Sequence, residues 1–167
     1  LDIEKASQII AEAGQYAVGL CHCRHIHQHL GDACDAPLET CLSLGFAVSY
    51  LVNHGMATRI DQARALDILA QAREANLVQM ADNVRNQPLF ICNCCKCCCE
   101  MMIGLRTFPE KSKLVTSNYV ARIDADACLG CGKCVPRCPV EAIRLIPAEP
   151  SGQAPKRQKR AVVDAEA

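Results

Sequence analysis

Residues 128–139 read CLGCGKCVPRCP, in which four cysteines follow the spacing C-x2-C-x2-C-x3-C and a proline follows the last one. Thiolates three residues apart on a tight loop can bind neighbouring metal atoms of one polynuclear centre. Gly130 and Gly132 let the backbone approach the sulfur atoms and donate N–H bonds to them. A zinc ribbon is disfavoured, because it uses two C-x2-C pairs separated by a longer loop. The motif therefore predicts an iron–sulfur site.

This motif and the VEAI segment that follows it at 140–143 resemble the bacterial-type [4Fe–4S] ferredoxins over residues 118–147. In that family the first three cysteines bind one cluster and the fourth binds a neighbouring cluster. The resemblance implies that Cys128, Cys131 and Cys134 hold one [4Fe–4S] cluster, whereas Cys138 reaches a second cluster.

A second cysteine-rich stretch, CNCCKCCC at residues 92–99, places six of the 14 cysteines within eight positions. Neighbouring Cα atoms are about 3.8 Å apart, whereas a disulfide spans roughly 4.4–6.8 Å. Adjacent cysteines therefore pair poorly, and so dense a run would pair unspecifically on oxidation. We expect thiolate ligation of metal in a reducing compartment instead of a disulfide scaffold.

The run repeats the first three ferredoxin positions, at Cys92, Cys95 and Cys98. Met102 occupies the fourth position, so this half departs from the family pattern. We expect these three cysteines and Cys138 to hold the second cluster. The other three cysteines of the run are candidates to complete the first cluster: Cys94, Cys97 and Cys99. A register that starts at Cys94 and Cys97 is the alternative. The surplus thiols are either small buried apolar residues or redox-active groups.

Four more cysteines lie near the N-terminus: Cys21, Cys23, Cys34 and Cys41. They predict a third [4Fe–4S] cluster, with a four-thiolate zinc site as the alternative, because soft thiolates suit both metals. Arg24 would offset part of the thiolate charge. The histidines among them are expected to lie on a solvated polar loop, and any one of them is an alternative ligand: His22, His25, His27 and His29.

The fold class predicted from apolar periodicity is α+β. Helices are expected at 2–18, 37–53, 58–75, 100–105 and 140–142, with residues 77–91 irregular or extended. Cys41 would then lie on the apolar face of the second helix. Alternation predicts strands through Tyr119, Ala121 and Ile123 and again at Ile143–Ile146.

Three regions follow from this pattern. Residues 1–87 would form a helical, cysteine-rich domain. Residues 88–148 would combine the cysteine run with a small ferredoxin-like β-loop-α-β iron–sulfur module. Residues 149–167, with the basic side chains Lys156, Arg157, Lys159 and Arg160, would form a disordered tail.

A wider resemblance covers most of the chain and connects it with a group of 4Fe–4S-binding proteins of anaerobes. Four segments carry it: CHCR at 21–24, PLETC at 37–41, ICNCC at 91–95, and the ferredoxin motif. The resemblance implies iron–sulfur clusters, but that group has no established reaction and therefore implies no substrate.

The remaining composition narrows the function class. Eighteen basic and 18 acidic side chains give no net charge, which argues against nucleic acid or an anionic membrane as the main partner. The chain has no dinucleotide or phosphate loop, and its longest apolar stretch, 42–52, is too short to span a membrane. We expect a cytoplasmic iron–sulfur electron-transfer protein or subunit of anaerobic redox metabolism, with two to three [4Fe–4S] clusters.

Its expected partner is a flavoprotein or metalloenzyme. We expect the chain to be an electron-transfer component of an oxidoreductase and not an enzyme by itself. The alternative is a catalytic or sensing iron–sulfur protein that has an open cluster site or redox-active thiols.

Overall fold

The computed structural model describes residues 1–108, 121–147 and 159–163. Its elements in chain order are α1 Ile3–Ala13, β1 Tyr16–Leu20, α2 His22–Leu30, β2 Glu39–Leu44, α3 Ala47–Asn53, β3 Thr58–Ile60, α4 Gln62–Glu74, β4 Val78–Ala81, β5 Phe90–Cys94, α5 Glu100–Thr107, β6 Ile143–Pro147 and β7 Lys159–Val163. They belong to two compact units, Leu1–Ile103 and Gly104–Ala167. The whole run 92–99 therefore lies in the first unit, whereas the sequence placed a boundary at 87/88.

An antiparallel sheet with the strand order β3-β1-β2-β5-β4 forms the centre of the first unit. Leu42 pairs with Ile91 across β2 and β5, and both are fully buried. They belong to a core with apolar residues of α1 and α4, including Ile10, Ile68 and Leu69. Because successive side chains alternate between the faces of a strand, the odd-numbered Cys41 and the even-numbered Cys92 and Cys94 lie on the face opposite this core.

Helix α4 begins where its sequence provides a cap. The Asp61 side chain accepts a hydrogen bond of 2.8 Å from the Arg64 backbone N–H, the usual role of an N-cap aspartate. Asn76, just after the helix, adopts a left-handed conformation with φ 58°. The predicted helix is thus confirmed from Gln62 onward, whereas Thr58–Ile60 is the strand β3.

Sheet pairing overrides the helical prediction in two other places. The helix expected at 2–18 ends at Ala13, where Gly14 turns the chain with φ 71°, and Tyr16–Leu20 becomes a strand. The segment expected to be helical at 37–53 splits into β2 and the short helix α3. Strand β2 lies between β1 and β5, and the hydrogen bonds and apolar contacts of this position outweigh the helical preference that the apolar spacing indicates. Cys41 therefore lies opposite the apolar face and not on it.

The N-terminal part is α+β and not helical, because it contains all five strands of this sheet. The segment 77–91, expected to be irregular or extended, includes β4 and the start of β5. The histidine-rich segment forms the helix α2 instead of a loop and ends at Gly31. The short helix predicted from residue 100 is confirmed as α5.

The second unit contains a two-stranded antiparallel sheet in which β6 pairs with β7. Strand β6 confirms the strand predicted at Ile143–Ile146. Strand β7 lies in the expected disordered tail, and this part of the prediction is wrong because β7 pairs with β6 and buries Ala161. Lys156 and Arg157 lie outside the described residues.

Two smaller predictions in this unit also differ from the structure. Ala121 and Ile123 lie outside any strand, whereas Tyr119 lies outside the described residues. The helix expected at 140–142 is absent: the chain makes a turn at 139–140, and Glu141 has a left-handed φ of 58°. Among the described residues, no helix is long and apolar enough to cross a membrane.

Candidate metal centres

Backbone N–H groups converge on two sulfur atoms of the motif at 128–138. The Sγ of Cys128 accepts hydrogen bonds from the N–H groups of Gly130 and Ala161, both at 3.4 Å. The Sγ of Cys138 accepts one from Ala142 at 3.2 Å. Such N–H···S bonds stabilise the negative charge of a thiolate ligand and raise the potential of a cluster that it binds. The donor set therefore fits an anionic iron–sulfur centre.

Two glycines give this loop its shape. Gly130 and Gly132 have φ values of 66° and 76°, in the left-handed region that favours glycine. A Cβ atom on Gly130 would lie 2.1 Å from the backbone oxygen of Lys159, and one on Gly132 would lie 3.2 Å from the Cδ1 of Leu145. Strand β7 therefore packs directly against the cysteine loop, and it does so only because residue 130 has no side chain.

In the first unit, six thiols form one interacting group, here called the six-thiol group: Cys21, Cys23, Cys41, Cys92, Cys94 and Cys99. Cys21 is the N-cap residue of α2, and Cys23 lies in the first turn of that helix. Strands β2 and β5 contribute Cys41, Cys92 and Cys94, and Cys99 directly precedes α5. A helix N-terminus stabilises thiolates, so the group is suited to binding a cation.

Hydrogen bonds within the six-thiol group separate thiols from thiolates. Cys41 and Cys94 donate to Cys92, which holds the pKa of Cys92 far below its usual range. The same bonds, together with burial, raise the pKa values of Cys41 and Cys94. Cys94 also donates to Cys99 and lowers the pKa of Cys99 to about 6. Cys92 and Cys99 therefore accept hydrogen bonds within this group, and these bonds lower their pKa values.

A second set in the first unit, here called the four-thiol group, comprises Cys34, Cys95, Cys97 and Cys98, whose sulfur atoms all lie within 4.8 Å of one another. The Sγ of Cys98 is 4.0 Å from that of Cys34 and 3.6 Å from that of Cys97. The N–H of Cys98 donates to the Sγ of Cys95 at 3.4 Å. Burial opposes the ionisation of Cys95, but this bond and Arg24 lower its pKa to about 7.

Arg24 lies between the two thiol groups. It is 1% exposed, donates from Nη1 to the backbone oxygen of Asn93 at 3.0 Å, and donates from Nη2 to the Thr40 hydroxyl. Although burial opposes its charge, the thiols of Cys21 and Cys95 stabilise it and raise its pKa. The guanidinium thus serves as a fixed buried cation beside both groups.

The structure groups the cysteines differently from the spacing argument. Cys92 lies with Cys41, whereas Cys95 and Cys98 lie with Cys34. Cys138 lies in the second unit with the rest of its motif. Two of the four histidines contact each other on α2, with the Nε2 atoms of His25 and His29 at 3.2 Å.

Two supporting groups were not found from the sequence. The Asn93 side chain donates to the backbone oxygen of Thr40 at 2.8 Å and accepts from the Gln79 side chain at 3.1 Å. The position of Asn93 between Cys92 and Cys94 is the sequence feature that could have indicated its supporting role. The Ala161 N–H had no sequence signal, because a backbone donor carries no residue preference.

Comparison with known proteins bears on the second unit. Residues 121–144 match the family model of the 4Fe-4S binding domain. No curated protein and no solved structure matches the chain significantly. The match covers the cysteine loop and the start of β6, the region where N–H groups surround Cys128 and Cys138. The chain therefore carries a ferredoxin-like 4Fe–4S binding module.

Proposed function

We propose that this protein transfers electrons through iron–sulfur clusters, as a carrier or as a subunit of a larger redox enzyme. The observation that carries the proposal is the ferredoxin-type motif at 128–139, whose sulfur atoms accept hydrogen bonds from Gly130, Ala142 and Ala161. These donors stabilise a centre that gains negative charge on reduction. Reversible uptake of one electron at a fixed position is the chemistry that a [4Fe–4S] cluster supplies when it is bound.

Within this proposal, Cys128, Cys131 and Cys134 hold a [4Fe–4S] cluster in the second unit. Cys138 either completes that cluster or binds a neighbouring one, as in two-cluster ferredoxins. Cys131 is exposed, and Leu129, which directly follows the ligand Cys128 in the chain, is 79% exposed. An apolar side chain next to an accessible cluster ligand provides a contact point for a redox partner, because electrons then travel a short distance.

A second cluster is assigned to the six-thiol group. Four of its six sulfurs meet the needs of a cubane, and the first turn of α2 and Arg24 offset the charge of the ligands. This assignment replaces the set of Cys92, Cys95 and Cys98 with Cys138 that the spacing suggested. Two clusters in one chain would form a relay between a flavoprotein or metalloenzyme donor and an acceptor.

The partner is expected to carry a basic surface. The chain has no net formal charge, but a cubane with four thiolates adds roughly two negative charges, so the loaded protein is anionic. Complementary charge accelerates association and orients the partners.

The test uses the full chain purified under anaerobic conditions. Two clusters require about eight iron and eight sulfide ions per chain, and EPR of the reduced protein should show the signals of two clusters. Cys131→Ser should remove one signal and slow the reduction of cytochrome c by the photoreduced protein. Cys97→Ser, a matched change at an exposed cysteine of the first unit, should leave both iron signals intact. Iron without acid-labile sulfide would contradict the proposal.

A second candidate function rests on the two sulfurs of the six-thiol group that a cubane does not need. A spare thiolate beside a cluster could react with a substrate or a disulfide, which would make the protein catalytic or redox-sensing. Mild oxidation followed by EPR distinguishes the two functions. A three-iron signal together with alkylation of one extra thiol favours the catalytic role, and the absence of both supports electron transfer alone.

A further inference from the structure

The four-thiol group differs from the six-thiol group in its geometry. Each of its members offers one sulfur, and all four sulfurs converge within 4.8 Å. A metal ion that binds four thiolates tetrahedrally at about 2.3 Å places the sulfurs about 3.8 Å apart. The two sulfur–sulfur distances at Cys98, 3.6 and 4.0 Å, bracket this value.

A cubane requires a wider arrangement. Each of its thiolates binds a different iron atom, so the four sulfurs lie outside the cluster and are separated by its full width. Sulfurs that converge on one point leave space for one ion and none for a four-iron core. The geometry of the four-thiol group therefore favours a mononuclear centre.

Its surroundings also indicate a closed structural site. Cys95 and Cys98 are 5% and 0% exposed, and they pack with the buried side chains of Ala72 and Leu77. Cys34, which comes from the segment between α2 and β2, is half-buried and packs against the same cluster with Ala36. With four protein ligands and apolar neighbours, no position remains open for water or substrate, the pattern of structural zinc sites.

The charge of such a centre is partly balanced from within the fold. Four thiolates and one Zn²⁺ carry a net charge of −2, and the buried guanidinium of Arg24 contacts Cys95. The N–H of Cys98 donates to the sulfur of Cys95. Both interactions are typical of the outer partners that orient thiolate ligands and stabilise their charge.

We propose that Cys34, Cys95, Cys97 and Cys98 bind a single Zn²⁺ ion that joins the α2–β2 segment to the turn after β5. Each thiol that is still protonated releases its proton on binding, and no electron transfer is involved. The site is independent of the electron-transfer proposal, because its ligands are shared neither with the ferredoxin-like module nor with the six-thiol group.

The experiment determines zinc, iron and sulfide on the full chain, purified anaerobically from medium that contains both metals. We expect about one zinc ion per chain, with X-ray absorption showing four sulfurs at about 2.3 Å. Cys34→Ser and Cys97→Ser should lose the zinc and keep the iron and sulfide. Cys97 is exposed, so its variant tests ligation without disturbing the core if Cys34→Ser folds poorly.

Cys131→Ser is the matched control, because it changes another exposed cysteine. It should lose iron and keep the zinc, and its result tests the electron-transfer proposal separately. The zinc proposal is overturned if the wild-type protein contains no zinc, or if Cys34→Ser and Cys97→Ser lose iron and sulfide in equal numbers. Loss of iron in Cys131→Ser has no bearing on the zinc site.

Discussion

Arg24 donates from Nη1 to the backbone oxygen of Asn93, the residue between Cys92 and Cys94, at 3.0 Å. This one bond connects the helix that contributes Cys21 and Cys23 with the strand that contributes the cysteines on either side of Asn93. Because the planar guanidinium bonds Thr40 as well, it fixes three elements at once. The position of the six-thiol group thus depends on a residue that is not a ligand.

Replacement of Arg24 should destabilise the first unit. Arg24→Met retains an apolar stem but leaves buried acceptors unpaired, so we expect the free energy of unfolding to fall by about 3–5 kcal/mol. Arg24→Lys should lower the free energy of unfolding by less, because the ammonium group keeps the positive charge although it lacks the paired donors of the guanidinium. Denaturant titration of the loaded protein measures both. Arg64→Met removes an exposed pair with Asp67 and should cost about 1 kcal/mol or less; equal losses at both positions would contradict this role.

Truncation of a buried residue of α4 should destabilise the first unit much more than truncation of an exposed residue of the same helix. Ile68 is 2% exposed, whereas Leu66 on the same helix is 36% exposed. Ile68→Ala should lower the free energy of unfolding by about 2–5 kcal/mol, and Leu66→Ala by about 0.5 kcal/mol or less. Thermal unfolding monitored by circular dichroism makes the comparison. A loss at Leu66 as large as that at Ile68 would show that this helix packs differently.

Gly130 should be essential for retention of iron in the second unit. Gly130→Ala combines a strained φ of 66° with a Cβ atom 2.1 Å from the Lys159 oxygen, so β7 must move and Cys128 loses a hydrogen bond. Iron per chain should fall and the cluster signal should decay faster in air. Gly14→Ala has a similar φ of 71° in open space and should cost only about 1 kcal/mol. Retention of full iron by Gly130→Ala would refute the close approach of β7.

The Ala161 N–H should raise the reduction potential of the cluster in the second unit. Ala161→Pro removes the donor to Cys128, so the potential should fall by roughly 20–60 mV, the equivalent of one hydrogen bond. A redox titration followed by EPR measures the shift. Ala161→Gly keeps the donor and should have a potential close to that of the wild-type protein. An unchanged potential in the proline variant would mean that the N–H···S bond does not act on the cluster.

Metal uptake by the first unit should strengthen as the pH rises. Burial and hydrogen bonding raise the pKa values of Cys41, Cys94, Cys97 and Cys98. Thiols with raised pKa values hold their protons at neutral pH, and ligation must displace those protons. The apparent affinity of the metal-free protein for Zn²⁺ should therefore increase between pH 6 and 8. Calorimetry in two buffers with different ionisation enthalpies should detect proton release, and a pH-independent affinity without proton release would contradict the prediction.

Sequence patterns predicted the structure correctly where it depends on residues that are close together in the chain. The spacing at 128–139 predicted the module that the 4Fe-4S domain model matches. The local pattern also predicted a helix at 58–75, of which Gln62–Glu74 is α4. The same reasoning failed at β2. Pro37, Leu38 and the apolar residues after them fit a helix, and only pairing with β1 and β5 makes this segment a strand.

The sequence by itself determined the 4Fe–4S binding module of the second unit, because spacings of two and three residues are properties of the chain alone. Only the tertiary structure decided which sulfurs act together. Strand alternation turns Cys92 and Cys94 towards Cys41, whereas the turn after β5 directs Cys95 and Cys98 towards Cys34, 64 residues away from Cys98. Contacts over such separations depend on the register of the sheet and on the docking of α2. Those depend on burial of the Leu42–Ile91 core and of Arg24, which no local spacing encodes.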